Sequence, residues 1–175
     1  LIDNSPHITV SDEYRNPEKQ PARQQWPEGA VEIRRVKPLT EVRGIRGHIQ
    51  KLALIESLPG LRAAPVLVGS VVLTFAGRSE GVTLSGIIPA KMKGVSTIEE
   101  KLIHGSLDAL AANPNGIVIG EGLAKKFGLA MGSVVNAASP GGEVRTLKVV
   151  GIFRTGNSNY DETQTFALLK RVPGM

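Results

Sequence analysis

The chain has 175 residues, a net charge of +5, no cysteine and only 4% aromatic residues. That length carries one domain, or two small subdomains sharing a core, and 41% hydrophobic residues suffice for an aliphatic core of Val, Ile, Leu and Ala. Without cysteine, disulfide frameworks, thiolate zinc sites and cysteine nucleophiles are excluded, and the mild positive charge does not by itself indicate nucleic acid.

No run approaches the ~18 apolar residues of a spanning helix. The best candidate, Val66 to Leu73, is short and holds Gly69 and Ser70. The chain starts at Leu1, without a basic-then-apolar signal segment, and reads as a soluble piece excised from a larger protein.

Taken in order, the alternation of Ile8 and Val10 with His7 and Thr9 predicts a strand over Pro6–Glu13. Tyr14 to Thr40 is irregular and proline-rich, with a possible short strand at Val31–Val36. Basic residues outnumber acids between 13 and 46, among them Arg34, Arg35, Lys37, Arg43 and Arg46. This stretch reads first as a solvated excursion. The sharper alternative is a docking surface for an acidic partner or anionic lipid headgroups.

The spacing of Ile45, Ile49, Leu52 and Ile55 predicts a helix over Gly47–Leu58, stopped by Pro59-Gly60. Ala64–Phe75 and Gly81–Ile88 predict a hairpin with the polar tip 76–80. Ser96-Thr97-Ile98-Glu99 has the form of a capping box and predicts a helix that buries Ile98, Leu102 and Ile103 and stops at Gly105.

Gly116 to Val135, GIVIGEGLAKKFGLAMGSVV, is the densest signal. Ile117-Val118-Ile119 predicts a buried strand, Leu123, Ala124 and Phe127 a short helix, and Gly128 its left-handed stop. Gly132-Ser133 then turns the chain into Val134-Val135. Ser139-Pro140-Gly141-Gly142 predicts a hairpin between Val134–Ala137 and Val144–Phe153, and Thr163–Leu169 a last strand with Phe166 and Leu168 on one face. The expected order is β, α, β, β, α, β, α, β, β, β, a mixed α/β or α+β layout.

Little of this carries chemistry. His7, His48 and His104 stand alone, without metal-ligand spacing. Gly120-Glu121-Gly122 opens a helix after a strand, but the third glycine of a dinucleotide fingerprint falls on Lys125 and no acidic residue follows at the required distance. The glycines read instead as turn and packing positions. No Walker motif and no GxSxG elbow is present. Asp12-Glu13 and Asp161-Glu162 are adjacent pairs, which on a strand face opposite ways. Phe75, Phe127, Phe153 and Phe166 sit in apolar runs and read as core, not as a base-stacking platform. No active site and no cofactor is indicated.

The pieces nevertheless follow a recognisable order. Ser5–Val10, the helix end Leu52–Leu61 (LALIESLPGL), Leu84–Pro89 (LSGIIP), Gly116–Val135, Leu147–Phe153 (LKVVGIF) and Phe166–Leu169 together resemble the MacB-like periplasmic core domain of type VII, FtsX-superfamily ABC transporter permeases, shared with the lipoprotein-release and DevC-type members. Two departures are Ser133, where the family turn carries an acid, and the length of the stretch Tyr14–Thr40.

The resemblance implies an α+β domain of two subdomains: a porter-like one from 1–90 plus 145–175, and an inserted sabre-like one over 91–144. It implies a permease on the periplasmic side of the bacterial inner membrane. Its expected partners are a separate ABC ATPase, a second permease copy or paralogue, and a periplasmic adaptor (membrane-fusion protein) or chaperone; nucleic acid is not among them. The domain would be non-catalytic and pass membrane-helix motion to its partners. In lipoprotein-release permeases a hook between the strands flanking this turn recruits a chaperone; here the connection is short. The candidate docking residues are Arg34, Arg35 and Lys37, with Ser139, Pro140, Gly141 and Gly142 at the turn. Two rivals remain: a stand-alone module binding an anionic ligand or partner protein through the basic stretch, and an enzyme assembled from distant residues such as His7, Asp161 and Glu162.

Overall fold

The computed structural model describes residues 8–11, 25–29, 44, 45 and 47–171. The chain divides into two compact units, 8–48 and the remainder. In the first, residues 8–11 join no strand ladder among the described residues, and Ile8 and Val10 are exposed, so the strand expected at Pro6–Glu13 is not formed there. The Trp26 carbonyl accepts from Gly29 N at 3.2 Å to close a turn. The possible strand Val31–Val36, and with it Arg34, Arg35, Lys37, Arg43 and Arg46, lies outside the described residues.

α1 (His48–Ser57) forms as expected, but buries none of its residues. Ile49 is 73% exposed, and Leu52 and Ile55 are only half-buried. Glu56 at its end pairs with Lys91. β1 (Leu67–Phe75) and β2 (Arg78–Ile87) follow as an antiparallel hairpin in continuous register, Leu67 opposite Gly86 and Phe75 opposite Arg78. The turn is shorter than expected, only Ala76-Gly77, with φ of 48° and 77°. Two successive positive φ values give the mirror-image turn whose twist matches the flanking strands, so Arg78, Ser79 and Glu80 begin β2 instead of forming a loop.

The segment after β2 corrects the sequence reading. α2 (Pro89–Met92) is one short turn, and the capping box at Ser96 starts no α-helix. Ser96 Oγ accepts from Ile98 N, two residues on, at 3.3 Å, and Glu99 pairs with Lys93 at 3.5 Å instead of reaching back to the Ser96 amide. Three successive bonds spanning three residues follow, and the chain then extends into β3 (Leu102–Gly105). Ile98 is buried as expected, whereas Ile103 is exposed. The helix lies one segment later, as α3 (Leu107–Ala112), where Ser106 Oγ caps Ala109 N at 3.0 Å and Asp108 sits in the first turn.

Over the next strand, helix and hairpin the expectations hold. β4 (Gly116–Gly120), α4 (Glu121–Phe127) and β5 (Val134–Ala138) occupy the segment read as strand, helix and strand. β5 and β6 (Val144–Phe153) form the expected hairpin, Ala138 opposite Val144. The sequence reading missed α5 (Ser158–Thr163), which Asn157 caps through Tyr160 N at 3.3 Å. β7 (Gln164–Leu168) completes the unit before a short turn of helix at Leu169–Arg171.

The strands form one sheet in the order β3-β6-β4-β7-β2-β1-β5, and β5 also pairs with β6, so six of the seven close on themselves. Among the pairs of this sheet, β2–β7 and β4–β6 are parallel and the others antiparallel. β4 is buried throughout because both its faces are covered. Ile117 and Ile119 join one apolar cluster with Leu84, Val135 and the α4 residues Leu123 and Phe127. Val118 faces a second with Leu107, Leu110, Phe153 and Phe166, and Phe153 stacks edge-on against Phe166 at 5.5 Å.

This topology does not separate 91–144 from the flanking segments. β4 is paired between β6 and β7, and β5 between β1 and β6. The strands of the expected inserted subdomain thus belong to the sheet of its host instead of forming a sheet of their own.

Candidate functional site

The segment around α4 is assembled by close approach. Gly120 ends β4, and a Cβ there would lie 2.0 Å from the Asp161 carbonyl oxygen; at Gly122 it would meet Glu162 Cγ at 2.7 Å. The two glycines therefore let α4 and α5 touch backbone to backbone, which is the packing role the sequence suggested. Gly128 caps α4 in the left-handed region at φ 70°, its N–H donating back to the Ala124 and Lys125 carbonyls.

The polar side of α4 is tied down, not merely solvated. Glu121 pairs with Lys125 at 3.0 Å and with Arg154 at 3.6 Å. Lys126 pairs with Glu80 at 2.9 Å, and its carbonyl accepts from Arg78 Nη1 at 3.1 Å. The start of β2, next to the hairpin turn, is thereby fixed to the end of the helix. Each pair is at least partly exposed and contributes little singly, but two links at one point hold the hairpin in register with the helix.

Asp161 is buried in α5. Its Oδ1 accepts from Thr155 N at 2.9 Å and Thr155 Oγ1 at 2.7 Å, and its Oδ2 from Gly156 N at 3.3 Å. The carboxylate is spent on the loop between β6 and α5, and Glu162 beside it is exposed. Tyr160, packed edge-on against Phe153 at 6.0 Å, has its hydroxyl pKa raised by burial and, secondarily, by the Asp161 charge. The Asp161–Glu162 pair of the enzyme alternative thus gathers no catalytic geometry, and His7 lies outside the described residues. His48 and His104 are exposed. No group of three or more His, Asp or Glu side chains is placed to hold a metal ion among the described residues.

The turn Ser139–Gly142 is the part of the expected docking set that the structure describes. Ser139 N donates to the Glu143 carbonyl at 2.8 Å, Gly142 N to the Ser139 carbonyl at 3.0 Å, and Gly142 takes φ 84°. Pro140, Gly141 and Gly142 are exposed, while the Ser139 Oγ is buried without a hydrogen-bond partner among the described residues. Beside it opens a cleft of about 680 Å³, lined by Ser70 and Val72 of β1, Thr83 of β2, Pro140, and Asn159 and Thr163 of α5. No sequence motif marks this cleft, because its walls come from elements remote in the chain.

The decisive comparison is with known families: residues 9–170 match the MacB-like periplasmic core domain. The chain belongs to this family. The closed sheet leaves that membership untouched and bears only on how the domain is divided.

Among curated proteins, this MacB-like domain is 30% identical over 112 residues to the lipoprotein-releasing system transmembrane protein LolC of Neisseria meningitidis serogroup B (strain ATCC BAA-335 / MC58). The match covers 59% of this chain and 27% of LolC, so the domain spans about a quarter of that relative. Among solved structures, the periplasmic region of MacB from Actinobacillus actinomycetemcomitans aligns with a TM-score of 0.51 and 16% identity, over 73% of this chain and 59% of that one. The extracellular domain of the noncanonic ABC-type transporter YknZ from Gram-positive bacteria aligns with a TM-score of 0.51 and 16% identity, over 69% and 62%. At these identities the two structures establish the mixed α/β fold. The MacB-like chain is a periplasmic domain of an ABC-type transporter permease of the inner membrane. No helix among its described residues is long and apolar enough to cross a membrane.

Proposed function

We infer that this domain couples ATP-driven motion of a permease's membrane helices to export or release of a substrate through periplasmic partners. The observation that carries this is the family match across residues 9–170. It agrees with the packing of the site: Gly120 and Gly122 bring α5 close against the start of α4, and Asp161 holds a loop. Such a domain does its work by position and docking, while a separate ATPase supplies the energy. The domain's partners on this reading are that ATPase, a second permease copy or paralogue, and a periplasmic adaptor or chaperone.

The substrate class follows the relative of highest identity given above. LolC is by its name part of a lipoprotein-releasing system, and 30% identity over 112 residues favours release of a lipoprotein over efflux of a small molecule or glycolipid. Within the domain we assign partner contact to the exposed turn Pro140-Gly141-Gly142, whose Gly-rich tip projects beyond the β5–β6 ladder. Arg34, Arg35 and Lys37 remain candidate contacts for the same partner.

The test uses the intact permease with its ATPase in proteoliposomes. Deleting this domain should leave ATP hydrolysis in place and abolish transfer of a lipoprotein to a soluble acceptor. Transfer that persists without the domain would overturn the coupling role. Export of a small molecule with no lipoprotein transfer would overturn the substrate assignment alone.

A further inference from the structure

We propose that the outer edge of β1 between Leu67 and Val71 is a docking site for an extended, uncharged strand of a partner protein, which adds to the sheet beside the cleft at Ser139. β1 pairs with β2 along its whole length, Leu67 to Phe75, but with β5 only at Val72, Leu73 and Thr74. In an antiparallel ladder alternate residues turn their N–H and C=O away from the first neighbour. From Leu67 to Val71 those groups have no backbone partner among the described residues. Such a row is complementary to one kind of ligand, another extended backbone.

Its side chains carry no protection against that ligand. Exposed edges are ordinarily blunted by Lys, by Pro within the strand, or by a bulge. Val66-Leu67-Val68-Gly69-Ser70-Val71 has none of these: it is uncharged, contains no proline and pairs with β2 without a register shift. Val66 and Val68 are nonetheless exposed, Val68 at 57%. They offer an apolar row to every second residue of an added strand.

The cleft sets the occupant's far end. β5 leaves the β1 edge at Ala138, and the cleft opens there, between Ser70 and Val72 on one side and Pro140 on the other. A strand laid on Leu67–Val71 runs its end into this space. Val71 and Val82 give it an apolar lining, Thr83 and Asn159 lie at hand for polar groups, and the Ser139 Oγ lacks a partner among the described residues. The complementary segment therefore alternates β-branched or small residues and ends in a bulky apolar one, without charge. A second copy of β1 fits less well, since Val68, Gly69 and Ser70 supply no side chain large enough for a cleft of about 680 Å³. The inference rests on edge chemistry and stands independently of the transport reading.

The experiment selects nine-residue peptides from a random display library on the purified 175-residue chain. It then measures binding of the synthetic hits to the chain and to its V68K and S70K variants, both exposed positions at which lysine leaves the core intact. Amide hydrogen exchange is followed with and without peptide. The expected hits alternate as described, bind at least tenfold more weakly to both lysine variants, and slow exchange at residues 67–71. Hits that bind the variants equally, or protect other amides, would overturn the proposal. So would amides at 67–71 that are already protected in the free monomer, which would mean the chain covers its own edge. A dimer that V68K converts to monomer would make a second copy the occupant and overturn it too.

Discussion

The most constrained residue is Gly120. A Cβ there would lie 2.0 Å from the Asp161 carbonyl oxygen, a contact with backbone that no rotamer can relieve. Gly120→Ala must push α5 off α4 and should cost about 2–4 kcal/mol in urea unfolding, as overpacking against backbone does. Gly141, whose Cβ would come no closer than 3.7 Å to Ser139 Oγ, tolerates alanine and serves as the control. Asp161 works on the other side of the same contact. Asp161→Ala orphans three donors, Thr155 N, Thr155 Oγ1 and Gly156 N, and should lower stability by about 2–3 kcal/mol. Tyr160 adds a pH signature. Its hydroxyl pKa is raised above 10.0, first by burial and then by Asp161, so the fold favours the neutral form. The corresponding stabilisation is complete below pH 10.0 and is lost as pH rises through the higher folded value. Tyr160 should therefore contribute a tyrosinate absorbance step above pH 10.0 in the folded chain, and Tyr160→Phe should remove that step. A Tyr160→Phe difference spectrum centred at pH 10.0 would refute it.

At the scale of elements, legibility followed how local the determinants are. The β4–α4–β5 run was readable because a β-branched strand, an amphipathic turn and glycines with positive φ at Gly128 and Gly132 all act within a few residues. The segment 96–112 was misread because two short signals compete there. Ser96 and Glu99 have capping-box spacing, yet Lys93 takes Glu99, and β6 offers Leu102–Gly105 a ladder that a helix would forfeit. The helix begins instead after Ser106, whose Oγ caps it, with Asp108 in its first turn. The fit at Gly105 confirms the strand: at φ 79° a Cβ would come within 2.1 Å of the Val150 carbonyl oxygen. α5 was missed because six residues give too little periodicity, and its capping Asn157 lies in a polar stretch. The cleft and the open edge of β1 had no sequence signal, since each depends on which distant strand stops where. One element invites improvement. Ala76 sits at φ 48°, where Asn or Gly is favoured, so Ala76→Asn should stabilise the hairpin by about 0.5–1 kcal/mol, read as a higher urea midpoint at unchanged slope.

For the unit formed by residues 49–171, the question is whether 91–144 behaves as a body of its own, as the resemblance to two-subdomain relatives implied. The connectivity argues that it does not. β4 lies between β6 and β7, and β5 joins β1 to β6, so removing 91–144 would strip both edges of β6 and open the ring of strands. The apolar clusters also cross the proposed boundary: Leu84 from β2 and Leu123 from α4 share one, Leu107 from α3 and Phe166 from β7 the other. Segments that share two cores and a closed ladder unfold together, because neither can lose its partner without exposing its own interior. Leu84→Ala and Leu123→Ala, at sites 1% and 0% exposed, should each cost about 2–5 kcal/mol and lower the same transition. The measurement is core-amide hydrogen exchange alongside calorimetry. If L123A loosened only amides of 91–144 while those of β1 and β2 kept their protection, two independent bodies would exist after all. Uniform loosening would mean that motion applied at one end of the sheet reaches the cleft and the Ser139–Gly142 turn through one continuous ladder, without a hinge between subdomains to absorb it.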